Sequence, residues 1–493
     1  MVSKAIRASA ITAVLGLALL ATQSASAHQG ASEQNTPVPV VVLPAPPPAM
    51  PPPPLPLPLS VADGQAIEQA LMAAPELAFP AGLQGGPDAL ANPNSDVRAS
   101  ADAAFTKAAV TLAEDEHGLL PDPAAIDPNW ALRAPYDAAA DFAAARAQGD
   151  IPAWAQGLAR RNPIYTGLLA AQRRYRAIRA RGGWQALPEG LTLGRGAKGK
   201  EVLRLRVRLA AEGYGDADKG NPDFDRELAA QVADFQTRHG LQPSGVLNAA
   251  TVAALNVPVE ARLKTLAANL ERERWLPDQA PPDRIVADVA AAEVTLYDDD
   301  KPALVMRSIV GEPTRPTPLF ASHVASIEFN PAWHVPTDIA KAELWPKEER
   351  AHGYLAKHGF SVVNGVLVQH AGPTSSLGRV KFDMPNPFSV YLHDTPGRAL
   401  FAVDARGRSH GCVRLEKPND LAVALLSGQG WTLEKVNDAI AKGDTRWVRP
   451  KTTVPVFLVY RTADAPDDGP AIFRPDLYGW DDKLNAALAA APR

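Results

Sequence analysis

The sequence predicts a multidomain α+β protein in which helical modules precede a mostly β domain. Apolar residues recur at helical spacing through the first half of the chain, and the pattern changes to the alternation typical of strands near residue 285. A proline-dominated segment near the N-terminus cannot build a core. The 493 residues are therefore predicted to divide into several units.

Residues 1–27 have the order of a cleavable secretory signal. Lys4 and Arg7 precede an apolar run that is short for a membrane span, and small residues follow it. We predict cleavage after Ala27 and an exported, soluble mature protein in the periplasm. An uncleaved N-terminal anchor is the alternative.

The mature chain is predicted to be mildly acidic. Without residues 1–27 it has 48 Lys and Arg against 54 Asp and Glu, a formal charge of −6. Nucleic-acid binding usually requires a basic excess, so no nucleic-acid partner is predicted. An oxidising compartment favours paired cysteines, so the single cysteine, Cys412, is either a used thiol or an accidental buried one.

Residues 28–60 form a proline-rich linker. This composition favours extended polyproline II, which acts as a stiff spacer. Three interpretations stay open: a stalk, a docking motif for another envelope protein, and a disordered leader.

Three helical units are predicted after the linker. Residues 61–190 form a helical scaffold domain whose last helix begins after Asn162. Residues 191–260 form a three-helix domain, in which Val202, Leu205 and Leu209 make an apolar stripe at helical spacing. Residues 261–282 are a connecting segment that contains one amphipathic helix.

Residues 283–493 are predicted to form a mostly β domain. An insertion at about 331–387 is longer than an ordinary strand connection and contains a predicted helix near 340–350, which indicates a lid. The predicted strands include 285–289, 294–297, 324–329, 366–369, 388–392 and 454–460.

Residues 409–414, Ser-His-Gly-Cys-Val-Arg, concentrate reactive groups. Cys412 has no disulfide partner, Gly411 lets the backbone approach a ligand, and a neighbouring Arg414 favours a low thiol pKa. His393 ends a strand-like run 19 residues upstream and is the candidate base. Taken singly, a cysteine is most often a buried hydrophobe and a histidine a hydrogen-bonded structural residue.

The same residues resemble the SHGC(I/V)R(L/M) box of L,D-transpeptidases with a YkuD-type catalytic domain. Residues from the end of the proline-rich stretch onward resemble the YcbB-type branch of that family, including its scaffold, a three-helix peptidoglycan-binding domain and a capping subdomain. One position departs from that branch, because His410 stands where a serine is usual. Further motifs occur in the family's order: VG at 310–311, RPTP at 315–318, NPAWHVP at 330–336, LGRVKF at 377–382 and YLHDTP at 391–396.

The resemblance implies a cysteine acyl-enzyme. Cys412 would attack the carbonyl between the third and fourth residues of a peptidoglycan stem peptide and expel the terminal D-amino acid. The side-chain amine of a second stem would then take the acyl group and form a 3-3 cross-link. His393 would act as general acid and base, oriented by a neighbouring carbonyl, and Gly411 would help to hold the oxyanion. Acylation by carbapenems and the absence of a cofactor are also implied.

Other residues are predicted to support the loop or to contact substrate. Arg414 either binds a substrate carboxylate or, in the favoured interpretation, locks the loop by bonding carbonyls. None of the ten histidines lies in an HExxH motif, so no metal site is predicted. The remaining candidate contacts are Ser409, His410, Tyr391, Asp394, Arg379 and Lys381.

Two alternatives to cross-linking stay open. The same chemistry could attach an outer-membrane protein to the wall, or exchange or trim the terminal D-residue, because acceptor choice depends on surface shape. A non-catalytic wall-binding scaffold is the alternative from another class. The combination of Cys412, His393 and Arg414 argues against that scaffold.

Overall fold

The structure is a computed structural model, and it describes residues 57–74, 83, 85–118, 121–132, 136–215, 220–403, 405–465 and 469–490. The predicted signal peptide and nearly all of the predicted linker lie outside these residues. No helix in the described ranges is long and apolar enough to cross a membrane.

The described part of the scaffold region contains five α-helices, of which the first four pack around one apolar core and the fifth packs against the helix at 259–274. Ser60 begins the first helix with a capping box, and Asn162 caps the fifth, as predicted. Phe105, Leu112 and Phe142 are buried in the core that the first four helices share. The helices are α1 (Val61–Ala73), α2 (Ser95–Glu116), α3 (Ala138–Gln148), α4 (Ile151–Leu158) and α5 (Pro163–Ala180).

The predicted three-helix domain is confirmed. Val202, Leu205 and Leu209 are buried against the other two helices, as their spacing indicates. Gln236 donates its side-chain amide to the Val246 carbonyl at 2.8 Å and fixes the loop between the second and third helices. The helices are α6 (Lys200–Ala211), α7 (Arg226–Arg238) and α8 (Ala249–Leu255).

The connecting helix α9 (Val259–Arg274) is not amphipathic along its whole length, which corrects the prediction. All residues from 268 to 274 are buried, including four charged ones. Their charges are paired across domains: Arg274 with Asp115 of the scaffold at 3.0 Å, and Arg272 with Asp481 near the C-terminus at 2.6 Å. A charged, hydrophilic sequence therefore forms a buried hub that joins the scaffold to the β domain.

The β domain contains one large mixed sheet. Its strand order is β1-β5-β15-β2-β3-β4-β13-β11-β10-β6-β14, and β12 pairs separately with β4. The strands of this sheet are β1 (Trp130–Ala131), β2 (Arg284–Asp288), β3 (Glu293–Asp298), β4 (Lys301–Gly311), β5 (Leu319–His323), β6 (Ser326–Phe329), β10 (Val380–Asp383), β11 (Leu392–His393), β12 (Gly407–Ser409), β13 (Val413–Leu415), β14 (Arg446–Val448) and β15 (Pro455–Val459).

The predicted strand at 388–392 is mostly wrong. Asn386 accepts hydrogen bonds from the Phe388 and Val390 amides and donates to two carbonyls, which folds this segment into a turn. Ser389 has a φ of 55°, a value that a strand does not allow. Only the last two residues of the YLH run pair as a strand.

One face of the sheet packs on two helices, and the candidate active site lies on the other face. Leu392, Val413 and Phe382 belong to the apolar core, together with Leu421 and Val436 of the helices. The C-terminal half contains α13 (Pro418–Leu426), α14 (Leu433–Ala441), α15 (Trp480–Ala490) and the hairpin of β16 (Ala463–Asp464) and β17 (Ile472–Phe473).

The insertion between β6 and β10 forms a subdomain with its own small core, which we call the lid. Leu344, Leu355 and Phe360 are among its buried residues. A π-helical segment, Ala340–Leu344, continues directly into a helix. The other elements are β7 (Trp333–His334), α10 (Thr337–Ile339), α11 (Trp345–Arg350), α12 (Tyr354–Lys357), β8 (Phe360–Val363) and β9 (Val366–Gln369), with strand order β7-β9-β8.

Candidate active site

Two neighbouring parallel strands bring the predicted nucleophile and base to one face of the sheet. In the register of β11 and β13, Leu392 lies opposite Val413 and His393 opposite Arg414. Leu392 and Val413 point into the core, and side chains alternate along a strand. His393 and Arg414 therefore face the opposite side, and Cys412 occupies the preceding position on that side.

Cys412 is half-buried and lies immediately before β13. Its Sγ atom lies 3.9 Å from the Ser389 carbonyl oxygen, in the turn that replaces the predicted strand. Burial raises the pKa of the thiol, while the contacts with Tyr391 and the charges of Arg414 and Lys381 act in the other direction. The resting side chain is therefore a thiol at neutral pH, not the pre-formed thiolate that the sequence suggested.

His393 is buried and held in one tautomer. Its Nδ1 atom lies 2.6 Å from the Asp394 carbonyl oxygen, so Nδ1 carries the proton and donates it to that carbonyl. Nε2 consequently carries the lone pair. Because His393 pairs with Arg414, Cys412 is the diagonal neighbour of His393 on the same face.

The imidazole of His393 is neutral across the physiological range. Burial, followed by the positive charges of Arg414 and Lys381, lowers its pKa to about 3. The carbonyls of Asp394 and Leu377 oppose this shift but are weaker. Nucleophile and base therefore start as a neutral pair, which avoids two charges in a dry site.

Arg414 does not make the contacts that loop support would require. Among the described residues its guanidinium group donates no hydrogen bond, and its Nε atom is buried without a partner. The interpretation that Arg414 locks the loop by bonding carbonyls is therefore wrong for this arrangement. A half-buried guanidinium without an acceptor beside Cys412 fits the other interpretation, an anion such as a substrate carboxylate.

Lys381 is on the same face, directly opposite His393. Its ammonium group pairs with Asp383 at 2.8 Å and Glu328 at 3.0 Å, and lies 4.9 Å from the centre of the Tyr391 ring. These contacts hold Lys381 in β10 of the sheet, although the insertion predicted at about 331–387 included it. Its charge acts on the site by depressing the pKa of His393.

Tyr391 lies between Lys381 and Cys412. Its ring faces the Lys381 ammonium group, and its hydroxyl group contacts the Cys412 thiol. Its ring packs edge-on against the His393 ring, with 5.6 Å between centroids. Burial raises the pKa of its hydroxyl group well above the ordinary value, and the neighbouring Cys412 adds to the shift. The phenol therefore stays protonated and can donate to the sulfur atom.

The turn that carries Cys412 is tied by Ser409. The Ser409 hydroxyl donates to the Cys412 carbonyl at 2.5 Å and accepts the Gly411 amide at 3.1 Å. Gly411 has a φ of 114°, which a side chain would strain. Its amide is thus already engaged, which corrects the prediction of Gly411 as an oxyanion donor. The Cys412 amide donates to no acceptor in the described ranges.

The Asp394 carbonyl accepts a hydrogen bond from His393, and the Asp394 carboxylate binds the segment that leads from the lid into β10. Oδ2 accepts the Arg379 amide at 2.8 Å, and Oδ1 accepts Arg398 at 3.3 Å. The Arg379 side chain donates to the Ile440 carbonyl of α14 at 2.7 Å. That contact directs the Arg379 side chain toward α14, and its predicted contact with substrate stays a prediction.

His410 contacts the lid. Its Nε2 atom donates to Glu343 Oε1 at 2.6 Å, and Arg315 donates to the same oxygen at 3.0 Å. Glu343 lies in the π-helical segment of the lid. Glu343 was not predicted from the sequence, because no local pattern marks it and its partner His410 is 67 residues away along the chain.

Three family models match this chain. The model described as "L,D-transpeptidase catalytic domain" (YkuD) matches residues 282–455, which include every residue of the site above. Residues 282–455 are an L,D-transpeptidase catalytic domain. A "Scaffold domain" matches residues 62–171, and a "Putative peptidoglycan binding domain" matches residues 198–255.

These matches confirm the predicted L,D-transpeptidase catalytic domain and the predicted peptidoglycan-binding domain. The narrower assignment of the L,D-transpeptidase domain to the YcbB-type branch stays a prediction. A protein of Haemophilus influenzae named "Putative L,D-transpeptidase" is 33% identical over 242 residues, which cover 45% of this chain. The match spans 49%, about half, of that relative.

Solved L,D-transpeptidases also match. One from Xylanimonas cellulosilytica is 17% identical with a TM-score of 0.21, covering 56% of this chain and 99% of that one. L,D-transpeptidase 3 from Mycobacterium tuberculosis, in complex with a faropenem-derived adduct, is 17% identical with a TM-score of 0.20, covering 36% and 61%.

Proposed function

We propose that this chain is an L,D-transpeptidase that forms 3-3 cross-links between peptidoglycan stem peptides through a cysteine acyl-enzyme. The observation that supports it most directly is the shared sheet face of Cys412 and His393, with Nδ1 of the histidine bound to a carbonyl and Nε2 left as a base. This arrangement lies inside the matched catalytic domain.

In the first step the thiol attacks the carbonyl of the third stem residue. Because Cys412 and His393 both start neutral, the thiol proton passes to Nε2 as the carbon–sulfur bond forms. The Asp394 carbonyl stabilises the imidazolium by accepting Nδ1–H. The proton then goes to the amine of the terminal D-residue, which leaves, and a thioester remains on Cys412.

In the second step a side-chain amine of another stem attacks the thioester. His393 takes the amine proton and returns it to the departing sulfur, so the thiol and a new amide form together. Water competes with the amine for the thioester. The contact between Glu343 of the lid and His410, two residues from Cys412, supports a role for the lid in excluding that water.

The developing oxyanion needs a main-chain donor. The Cys412 amide is the donor that the hydrogen bonds of the turn leave available, whereas the Gly411 amide is engaged by Ser409. The loss of one such donor typically costs about 3 kcal/mol in barrier height. We assign this role to Cys412, and to Arg414 the recognition of a carboxylate of the anionic stem.

The proposal includes an exported enzyme. Residues 1–27 act as a signal peptide, the mature protein works in the periplasm, and its peptidoglycan-binding domain places it at the wall. Carbapenems acylate Cys412 as mimics of the donor peptide. Docking of an envelope protein on the proline-rich segment stays a prediction of the sequence.

The test is a reaction of the purified mature chain with disaccharide-tetrapeptides, analysed by liquid chromatography and mass spectrometry. The proposal predicts release of the terminal D-amino acid and a dimer whose cross-link joins two third-position residues, with Cys412→Ala inactive. A tripeptide or an exchanged D-residue as the only product would favour the alternative acceptors. No reaction of a folded wild-type protein would favour the wall-binding scaffold.

A further inference from the structure

Trp447 is an exposed aromatic residue at the edge of the catalytic sheet. It is 60% exposed and lies in the middle of β14, the last strand of that sheet. Neither of its neighbours is placed in this way: Val448 packs against the core, and the Arg446 guanidinium lies 5.2 Å from the centre of the Trp431 ring. Tryptophan is enriched at binding surfaces, because its indole offers a large flat apolar face together with one N–H donor.

The register places Trp447 on the same face as the candidate active site. Trp447 pairs with Glu328, Glu328 with Lys381, and Lys381 with His393. Directly paired residues share a face of a sheet. Trp447 therefore stands at the outer end of the row that contains the base.

A second row on this face runs from the nucleophile toward the same edge. After Cys412 come Tyr391, Asp383 and Ser326, which are polar and half-buried. Ser326 donates to the Asp383 carboxylate at 3.0 Å, and this hydrogen bond holds the two side chains of the row in place. A partly exposed polar path thus leads from Cys412 to β14.

The length of this path matches the donor substrate. Four steps between strands separate β13 from β14, or roughly 19 Å at about 4.8 Å per step. In a stem peptide, three residues and a lactyl group join the reacting carbonyl to the first sugar, and about 3.5 Å per unit gives roughly 14 Å. A pyranose ring extends for several ångströms beyond that point, so it reaches the position of Trp447.

We propose that Trp447 is a platform for the sugar that bears the donor stem peptide. This inference rests on the proposed function and adds a saccharide subsite to it. The flat indole packs against the C–H face of a pyranose, and its N–H can donate to a hydroxyl or acetamido oxygen. Because β14 is the sheet edge, a long glycan strand can pass there without meeting further strands.

The experiment compares two donors, a disaccharide-tetrapeptide and the same tetrapeptide without sugar. The second-order rate constant of Cys412 acylation is measured for each with the full mature chain. Wild type is expected to prefer the disaccharide donor, on the order of 3- to 10-fold, as one aromatic contact provides. Trp447→Ala abolishes this preference and leaves the rate with free tetrapeptide and with a carbapenem unchanged, while Trp447→Tyr retains most of it.

Leu433→Ala is the matched control, because Leu433 is also exposed (48%) but lies on α14, which packs on the other face of the sheet. It should keep the preference. Equal rates of wild type with both donors, or an equal loss for both donors in Trp447→Ala, would overturn the saccharide subsite alone. Failure of wild type to react with either donor would instead overturn the proposed function, and the subsite with it.

Discussion

Glu343 of the lid and His410 of the nucleophile turn are joined by a hydrogen bond of 2.6 Å. Arg315 donates to the same carboxylate oxygen at 3.0 Å. Burial acts to raise the pKa of Glu343, but the contacts with His410 and Arg315 outweigh it and hold the pKa below its ordinary value. One carboxylate therefore connects the lid to the turn that presents Cys412.

Glu343→Ala is expected to loosen the lid. Loss of the carboxylate frees the π-helical segment from His410, so hydrogen exchange of residues 340–344 should become faster. A larger fraction of the thioester should also be hydrolysed instead of being transferred to an amine. In wild type the contact is present above the ordinary carboxyl pKa and is lost as pH falls through the depressed one. Glu349→Ala is the control, because Glu349 is exposed on the next helix. Equal exchange in both variants would contradict a lid contact.

The stability of the catalytic domain should depend on His393 at mildly acidic pH. Its folded-state pKa is lowered to about 3 from an ordinary value of 6.5. Between these values the unfolded chain binds a proton that the folded chain does not, so stability falls as pH falls, by up to about 1.4 kcal/mol per pH unit. Urea denaturation from pH 7 to 4 should show a shallower pH dependence for His393→Gln. Identical slopes would mean that the histidine is not held neutral.

Arg414→Met should weaken the reaction with peptide donors. The loss of a charged hydrogen bond to a carboxylate is expected to lower kcat/KM about 10- to 100-fold. Burial is the main cause of the low pKa of His393 and the Arg414 charge is the second, so the variant should also move the acidic limb of the pH–rate profile upward. Lys451→Met, a change at an exposed cation, should do neither. A purely structural Arg414 would lower stability without shifting that limb.

Gly378→Ala should destabilise the site. Gly378 has a φ of 64°, and an added Cβ would lie 2.4 Å from the Asp394 carboxylate. We expect a loss of about 1–3 kcal/mol in the free energy of unfolding and a displaced His393. Gly372→Ala is the control, since nothing lies within 4 Å of an added Cβ there. Thermal denaturation of both variants measures this difference in stability. A Gly378→Ala variant as stable as wild type would contradict the close packing of Gly378 against Asp394.

Much of this site follows from alternation along two short strands. Tyr391 and His393 are two residues apart, as are Cys412 and Arg414, so any strand pairing places each pair on one face. Motif order and the change from helical to strand periodicity were enough to predict the fold class and the family. Domain boundaries, which depend on where buried contacts begin, stay predictions.

Long-range contacts and local backbone geometry could not be predicted. The partner of His410 is in another subdomain, and the occupation of the Gly411 amide depends on the rotamer of Ser409. The predicted low pKa of Cys412 failed because burial outweighs the nearby cations. The charged sequence of α9 suggested an exposed face, but ion pairs with two other domains bury it.

Cys412 is expected to form a thioester with a stem peptide. The most direct measurement is intact-protein mass spectrometry of the mature chain, quenched with acid shortly after mixing with a tetrapeptide donor. We expect one adduct with the mass of the tripeptidyl group, released D-amino acid in equal amount, and no adduct on Cys412→Ala. A folded wild-type protein that gains no mass from the donor or from a carbapenem would contradict an acyl-enzyme on Cys412.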